Sequence, residues 1–238
     1  LANLFRNMRQ VGQSRTLLEE GKRIAPQDAA LAFNCGQLYQ DLGDLVRAQT
    51  EFTRALEQKP GDEDCLIRLI KIAVARRNYD EAAGYVERVA GPASRLGELF
   101  QFIGGEALIR GDIDAARTFG TRAFERTPVA RVAIDLARTE YQAGLIEGAE
   151  AWINRALALP DVEPEDRARA FGIRGDIADR AGDAHAAFDH YTVSKRIFKE
   201  TFEQSHAGGG KTRALVKRLT DSFSATQHMA PSPPRLAG

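Results

Sequence analysis

The stretch Ala29–Asp62 reads AALAFNCGQLYQDLGDLVRAQTEFTRALEQKPGD. Within it, Gly36, Tyr39, Gly43, Ala48, Phe52, Ala55 and Pro60 fall at positions 8, 11, 15, 20, 24, 27 and 32 of a 34-residue frame. This spacing predicts two antiparallel helices. Gly36 and Ala48 are small, so the two helices can approach closely. Gly43 stands where the chain leaves the first helix, a place that favours left-handed backbone. Tyr39, Phe52 and Ala55 fall on faces turned toward neighbouring helices. Pro60 ends the second helix because it cannot donate the next backbone hydrogen bond.

The frame recurs along the chain. Pro26, Pro60 and Pro128 are separated by 34 and then 68 residues, one period and two. The unit 63–96 carries Ala82, Val86 and Val89 at core positions, with Arg77 in place of the turn glycine. The unit 97–130 carries Gly104, Ala107, Gly111, Ala116, Ala123 and Pro128. In the unit near 130–163, Gly144 comes one residue early, with Ala137, Ala149, Ile153 and Ala156 in place. After an insertion of roughly four residues around Pro164, the last unit, 168–204, carries Gly175, Ala178, Gly182, Ala187 and Tyr191. Residues 1–28 fit the later part of a further unit, with Leu18, Gly21 and Pro26 in frame. Its first helix lacks a beginning and the chain starts without Met, which reads as a piece of a longer protein. Each unit is expected to form two helices of about 12–14 residues, with apolar residues at helical spacing as in Leu66, Leu69, Ile70 and Ala73.

The full set of positions resembles the tetratricopeptide repeat (TPR), and seven matches in one unit make the resemblance specific. It implies an all-α, right-handed TPR superhelix, an α-solenoid of about five to six helix–turn–helix repeats with a C-terminal capping helix. Stacked units of this kind bury one continuous core, each contacting mainly its neighbours.

Composition narrows the function. The chain has 238 residues, 28% of them charged, and Lys plus Arg equals Asp plus Glu at 33 each. This balance gives no strong nucleic-acid footprint. No apolar stretch is long enough for a membrane span, and no signal peptide opens the sequence. The two cysteines, Cys35 and Cys65, form neither a disulfide framework nor a metal-ligand pattern, and Cys35 should act as a small apolar core residue. The expected compartment is a reducing cytoplasm. Residues 205–238 read as a Gly-rich linker, a capping helix with a Leu215, Leu219, Phe223 stripe, and a Pro-rich tail. The basic residues Lys211, Arg213, Lys217 and Arg218 around that stripe read as a solvated face.

The TPR resemblance assigns first-helix positions 2, 5, 6, 9 and 12 to the concave side, and helical geometry puts 2, 5, 9 and 12 on one face. These positions hold Phe33, Asn34, Gln37 and Gln40, then Asp64, Ile67, Arg68, Lys71 and Val74. They continue with Glu98, Gln101, Phe102 and Leu108, then Arg131, Ile134, Asp135, Arg138 and Tyr141. Amides can hydrogen-bond an extended backbone, and arginine forks match carboxylates. The expected site is a peptide-binding groove of Asn34, Gln37, Arg68, Lys71, Gln101, Phe102, Arg131, Arg138 and Tyr141. The same residues also read as ordinary solvated helix faces. The expected partner is a protein or peptide, one with acidic groups included; self-association through the end repeats is an alternative.

Some TPR proteins grip a C-terminal carboxylate with a Lys/Asn/Asn/Lys/Arg clamp, and Asn3, Asn34 and Arg68 match three of its places in register. Asp64 stands where a lysine belongs and would repel the ligand. No cofactor is expected and no enzyme site stands out. Ser205–Thr212, SHAGGGKT, lacks the first glycine and the preceding strand of a phosphate-binding loop. His185 and His190 are five apart, on different helix faces. The expected function is a non-catalytic binding scaffold. The alternative rests on Gly182–Phe198 and the tail, which resemble the junction of bacterial TPR–sulfotransferases. It implies an accessory, substrate-recognising region of a larger enzyme; Pro234–Gly238, PRLAG, does not match that family's donor-binding loop.

Overall fold

The structure is a computed structural model describing residues 11–205, which form eleven helices and no strand. These are α1 Val11–Ile24, α2 Ala29–Asp41, α3 Leu45–Gln58, α4 Glu63–Ala75, α5 Tyr79–Val86, α6 Ala93–Ile109, α7 Ile113–Arg126, α8 Ala130–Gln142, α9 Ile146–Leu157, α10 Pro164–Arg180 and α11 Ala184–Ser205. The chain divides into two compact units, Leu1–Val162 and Glu163–Gly238.

In the first unit each helix packs on the next, and some even-numbered helices also meet across the one between them. The helix α4 also touches α6, and α6 touches α8. First helices of successive hairpins therefore lie side by side, which is the arrangement a repeat frame demands. The core runs through every hairpin. Leu38, Phe52, Leu66, Leu69, Ile70, Ile72, Phe100, Ile103, Leu136 and Ile153 are buried at 2% exposure or less. Cys35 and Cys65 are both free thiols in this core. Burial pushes the Cys35 thiol up to about 11 and the Cys65 thiol up to about 12. Thiolate chemistry at neutral pH is thereby suppressed.

Helix starts are fixed by a second periodic signal that sequence reading passed over. Asp44, Asn78 and Asp112 stand 34 residues apart, and each side chain accepts from the backbone N–H three residues on, at 3.0, 3.4 and 3.1 Å. Asp28 and Asp62, also 34 apart, cap α2 and α4 in the same way. Such caps satisfy backbone donors that the first helical turn leaves without partners. The one-residue slip before α9 puts Leu145 at this place, and no side chain caps that helix.

Helix lengths depart from the expected uniform hairpins. The helix α5 has 8 residues, while α6 and α10 have 17 each and α11 has 22. The Gly91–Pro92 pair explains the first two. Proline cannot continue α5 but is tolerated before a helix start, so Ala93–Leu96 join α6 instead. The residues inserted near Pro164 likewise become the first turn of α10, with the proline at its start.

The second unit, as far as described, is the hairpin α10–α11. Gly175 lies against Tyr191, whose hydroxyl donates to Asp176 at 2.7 Å. The buried Ser194 hydroxyl donates to the Ala168 carbonyl at 2.7 Å. His185 is exposed and pairs with Asp189 on its own helix, and His190 lies beside Phe171. Asn3, His206, His228, the SHAGGGKT segment beyond Ser205 and the expected capping helix lie outside the described residues.

Candidate functional site

The first helices of the four hairpins in the first unit, α2, α4, α6 and α8, carry the residues singled out in sequence. Two hydrogen bonds tie them in register. Arg68 on α4 donates from Nη1 to Gln40 Oε1 on α2 at 3.5 Å. Gln101 on α6 donates from Nε2 to Asp135 Oδ2 on α8 at 3.0 Å, a step of 34 residues. Asp135 is thereby engaged, and Gln101 spends a donor on the neighbouring helix. Both bonds join residues of the expected groove face, one across α2 and α4 and the other across α6 and α8, and α4 packs on α6 between them.

Not every expected residue reaches it. Val74 and Ile134 are each 1% exposed and belong to the core, because the outward arc of these helices is narrower than the position rule assumes. Asn34, Gln37, Arg68, Gln101 and Tyr141 are half-buried, and Asn34, Gln37 and Tyr141 have contacts of their own. Lys71, Arg131 and Arg138 are exposed, and none makes an ion pair among the described residues. Phe102 is 36% exposed.

Charge on this face is uneven. Glu98 pairs with Arg95 at 3.3 Å, Arg95 also reaches Glu63, and Glu106 pairs with Arg110. The α6 carboxylates therefore have cations of their own, whereas Lys71 and Arg138 on the flanking helices have no carboxylate partner among the described residues. The opposite end of the face is acidic. Phe33, Asn34, Lys59, Asp62, Asp64 and Cys65 share a cleft of about 300 Å³ between α2, α3 and α4. Lys59 bonds Asp62 at 2.7 Å and holds its carboxyl below the usual range. Asp64 in this cleft, with Arg68 turned to Gln40, leaves no cationic clamp around Asn34.

Sequence reading missed two positions here. Gly105 occupies position 9 of its unit, level with Lys71 and Arg138, which lie 34 residues before it and 33 after. A Cβ at Gly105 would meet nothing within 4 Å. Ile109, one turn on, is 81% exposed. The frame alone points to Gly105; Ile109 falls at position 13 of its unit, outside the positions assigned to the concave side.

The second helices are bound to their neighbours differently. Gln49 on α3 donates to Glu81 on α5 at 2.7 Å and accepts from Arg76. Arg117 on α7 holds the buried Glu140 of α8 by two bonds, at 2.7 and 3.1 Å. Arg122 and Arg126 lie over the Phe100 ring, and Arg155 lies over Phe124 and Trp152. These contacts fasten α6 to α9 and leave the arginines committed to structure. Among the described residues no group of three or more His, Cys, Asp or Glu could hold a metal, and no helix is long and apolar enough to cross a membrane.

Comparison with known proteins agrees with this architecture. Two tetratricopeptide-repeat profiles match residues 39–93 and 106–164. Cellulose synthase operon protein C of Xanthomonas axonopodis pv. citri (strain 306) is 26% identical over 194 residues, which is 75% of this chain and 12% of that protein. The chain thus spans about an eighth of the length of that curated relative. A crystal structure of MamA superposes with a TM-score of 0.52 at 16% identity, covering 71% of this chain and 96% of that one. A second MamA structure gives 0.51 at 16%, covering 76% and 94%. At this identity the likeness is one of fold. The chain carries tetratricopeptide repeats, and its fold is the α-solenoid of that class.

Proposed function

We propose that this chain is a binding scaffold whose first unit holds an extended peptide or protein segment across α2, α4, α6 and α8. The observation that carries the reading is the pair of cross-helix bonds, Arg68 to Gln40 and Gln101 to Asp135. They tie α2 to α4 and α6 to α8, and α4 packs on α6 between them. On that surface Lys71, Phe102, Arg131 and Arg138 stay exposed, with the three cations outside any ion pair among the described residues. A solenoid presents such a surface once per repeat, so small contacts add along its length. The cations favour a ligand with carboxylates. The tetratricopeptide-repeat class, whose members work as scaffolds, supports the same reading. The curated relative is a cellulose synthase operon protein and not a sulfotransferase, so the accessory-region alternative still rests on the sequence of Gly182–Phe198 and the tail.

Random-peptide display against the full chain tests this. Recovered peptides should bind the Arg131→Glu/Arg138→Glu variant at least tenfold more weakly than the parent. Recovery of no peptide, or equal affinity for parent and variant, overturns the assignment.

A further inference from the structure

The helix α6 carries a glycine that packing does not explain. Gly97 and Gly104 on the same helix lie against Thr127 and against the backbone of Gly120, so each lets α7 come close. Gly105 does not; open space lies where its side chain would be. Glycine inside a helix is destabilising, because the unfolded chain loses more freedom there than any other residue would. Two other helical glycines, Gly12 and Gly84, also face open space. What separates Gly105 is its surroundings. Phe102 and Ile109 stand three before it and four after it, on the same helix face, and both are exposed. The result is a bare strip of backbone between two apolar side chains.

Cations flank this strip. Lys71 and Arg138 hold the same place as Gly105 on the first helices of the two neighbouring hairpins, α4 and α8, both of which touch α6, and neither is in an ion pair among the described residues. The nearby carboxylates are taken: Glu98 by Arg95, Glu106 by Arg110 and Asp135 by Gln101. Asp64 is exposed but stands two turns before Lys71 on α4.

From this juxtaposition we propose that Gly105 is the floor of a subsite for an apolar side chain with a carboxylate on each side. The ligand is an acidic–x–apolar–x–acidic peptide segment running across α4, α6 and α8. The inference rests on the groove reading above and names its ligand. The dimensions agree. Packed helices lie ~8–10 Å apart, and an extended chain advances ~3.3 Å per residue. Alternate residues therefore share a face ~7 Å apart, and two carboxylates four residues apart span ~13 Å. Two such helix steps separate α4 from α8, ~16–20 Å, and the long side chains of Lys71 and Arg138 can close the difference. The apolar residue between them lies on Gly105, where any side chain on α6 would hold it off.

The test uses the full chain and three fluorescein-labelled heptapeptides. The first has Glu, Phe and Glu at alternate positions with Ser between; the second has Lys for both Glu; the third has Ala for Phe. Fluorescence anisotropy should show the first binding at least tenfold more tightly than either control. Gly105→Leu should abolish that preference while raising the melting temperature, since leucine fills open space and favours the helix. Lys71→Glu/Arg138→Glu, a surface change independent of helix packing, should cost the first peptide at least tenfold and improve the second. Equal binding of the first peptide to parent and Gly105→Leu overturns the subsite. So does failure of the first peptide to bind where display-selected peptides do, and in that case the groove reading stands. Loss of binding for display-selected and designed peptides alike removes both.

Discussion

The hairpins α2–α3 and α4–α5 follow one another in sequence and solve the same packing problem in different ways. In the first, Gly36 faces Phe52, and a Cβ on the glycine would lie 2.8 Å from the ring. In the second, Ile70 and Val86 hold the same two places, both buried at 1% exposure or less. Further along, the pair becomes Gly104 with Gly120, and Leu136 of the next helix fills the space beside Gly120. The second unit returns to Gly175 with Tyr191. What recurs is a filled space between the two helices rather than the identity of either member, and where both members are glycine Leu136 supplies the bulk. Close-packed interiors require this, since a missing or extra methylene is felt directly.

The largest effect should come from breaking that complementarity. Gly36→Ile alone drives a branched side chain into Phe52 and should cost about 3 kcal/mol by denaturant unfolding. The double variant Gly36→Ile/Phe52→Val copies the Ile70/Val86 solution and should recover more than half of the loss. Additive losses in the double variant would show that the two hairpins do not share one packing rule.

The turns offer a smaller test. Gly43, Gly111, Gly144 and Gly182 leave their helices at φ between 75° and 79°. Arg77 takes the same turn at φ 61°, in a conformation that costs an L-residue strain. Gly43→Ala should therefore lose roughly 1 kcal/mol. Arg77→Gly should gain roughly 0.5 kcal/mol, since relief of strain is offset by the freedom glycine gains when unfolded. Effects of the same sign at the two turns would contradict the comparison.

The smallest effect concerns the cap between the hairpins. The Lys59 ammonium bonded to Asp62 holds that carboxyl below its ordinary value. A depressed carboxyl contributes stability that is fully present above its unfolded value, about pH 4, and fades as pH falls through the folded one. Asp62→Asn keeps the cap but removes the charge. Parent and variant should differ at neutral pH and converge in acid when melting is followed across pH. A gap that stays constant would remove the role of the Lys59 contact.

Much of this was legible before any coordinates. The period of 34 places the hairpins and the turn glycines Gly43 and Gly111, and it marks Gly36 as a point of close approach, although the residue that Gly36 meets is Phe52 rather than the expected Ala48. The N-cap row at Asp44, Asn78 and Asp112 was equally periodic and equally readable. The exit at Pro92 was harder. It falls two places before the frame's proline position, so Ala93–Leu96 belong to α6 although the period assigns them to the preceding unit. The groove was legible only as a set of positions. Val74 and Ile134 sit on those positions yet are buried, and Ile109 sits outside them yet is exposed. Residue type and register do not report which neighbours fill the space above a helix face. The engagement of Arg68 by Gln40 and of Gln101 by Asp135 depends on how adjacent hairpins dock, which a single sequence leaves open.

The most direct measurement is amide chemical-shift mapping of the labelled full chain, titrated with a display-selected peptide. The account predicts shifts concentrated on the inner helices, at Lys71, Gln101, Phe102, Gly105 and Arg138, with α3, α5, α7 and α9 largely unmoved. Shifts confined to those second helices, or spread evenly over the chain, would contradict it.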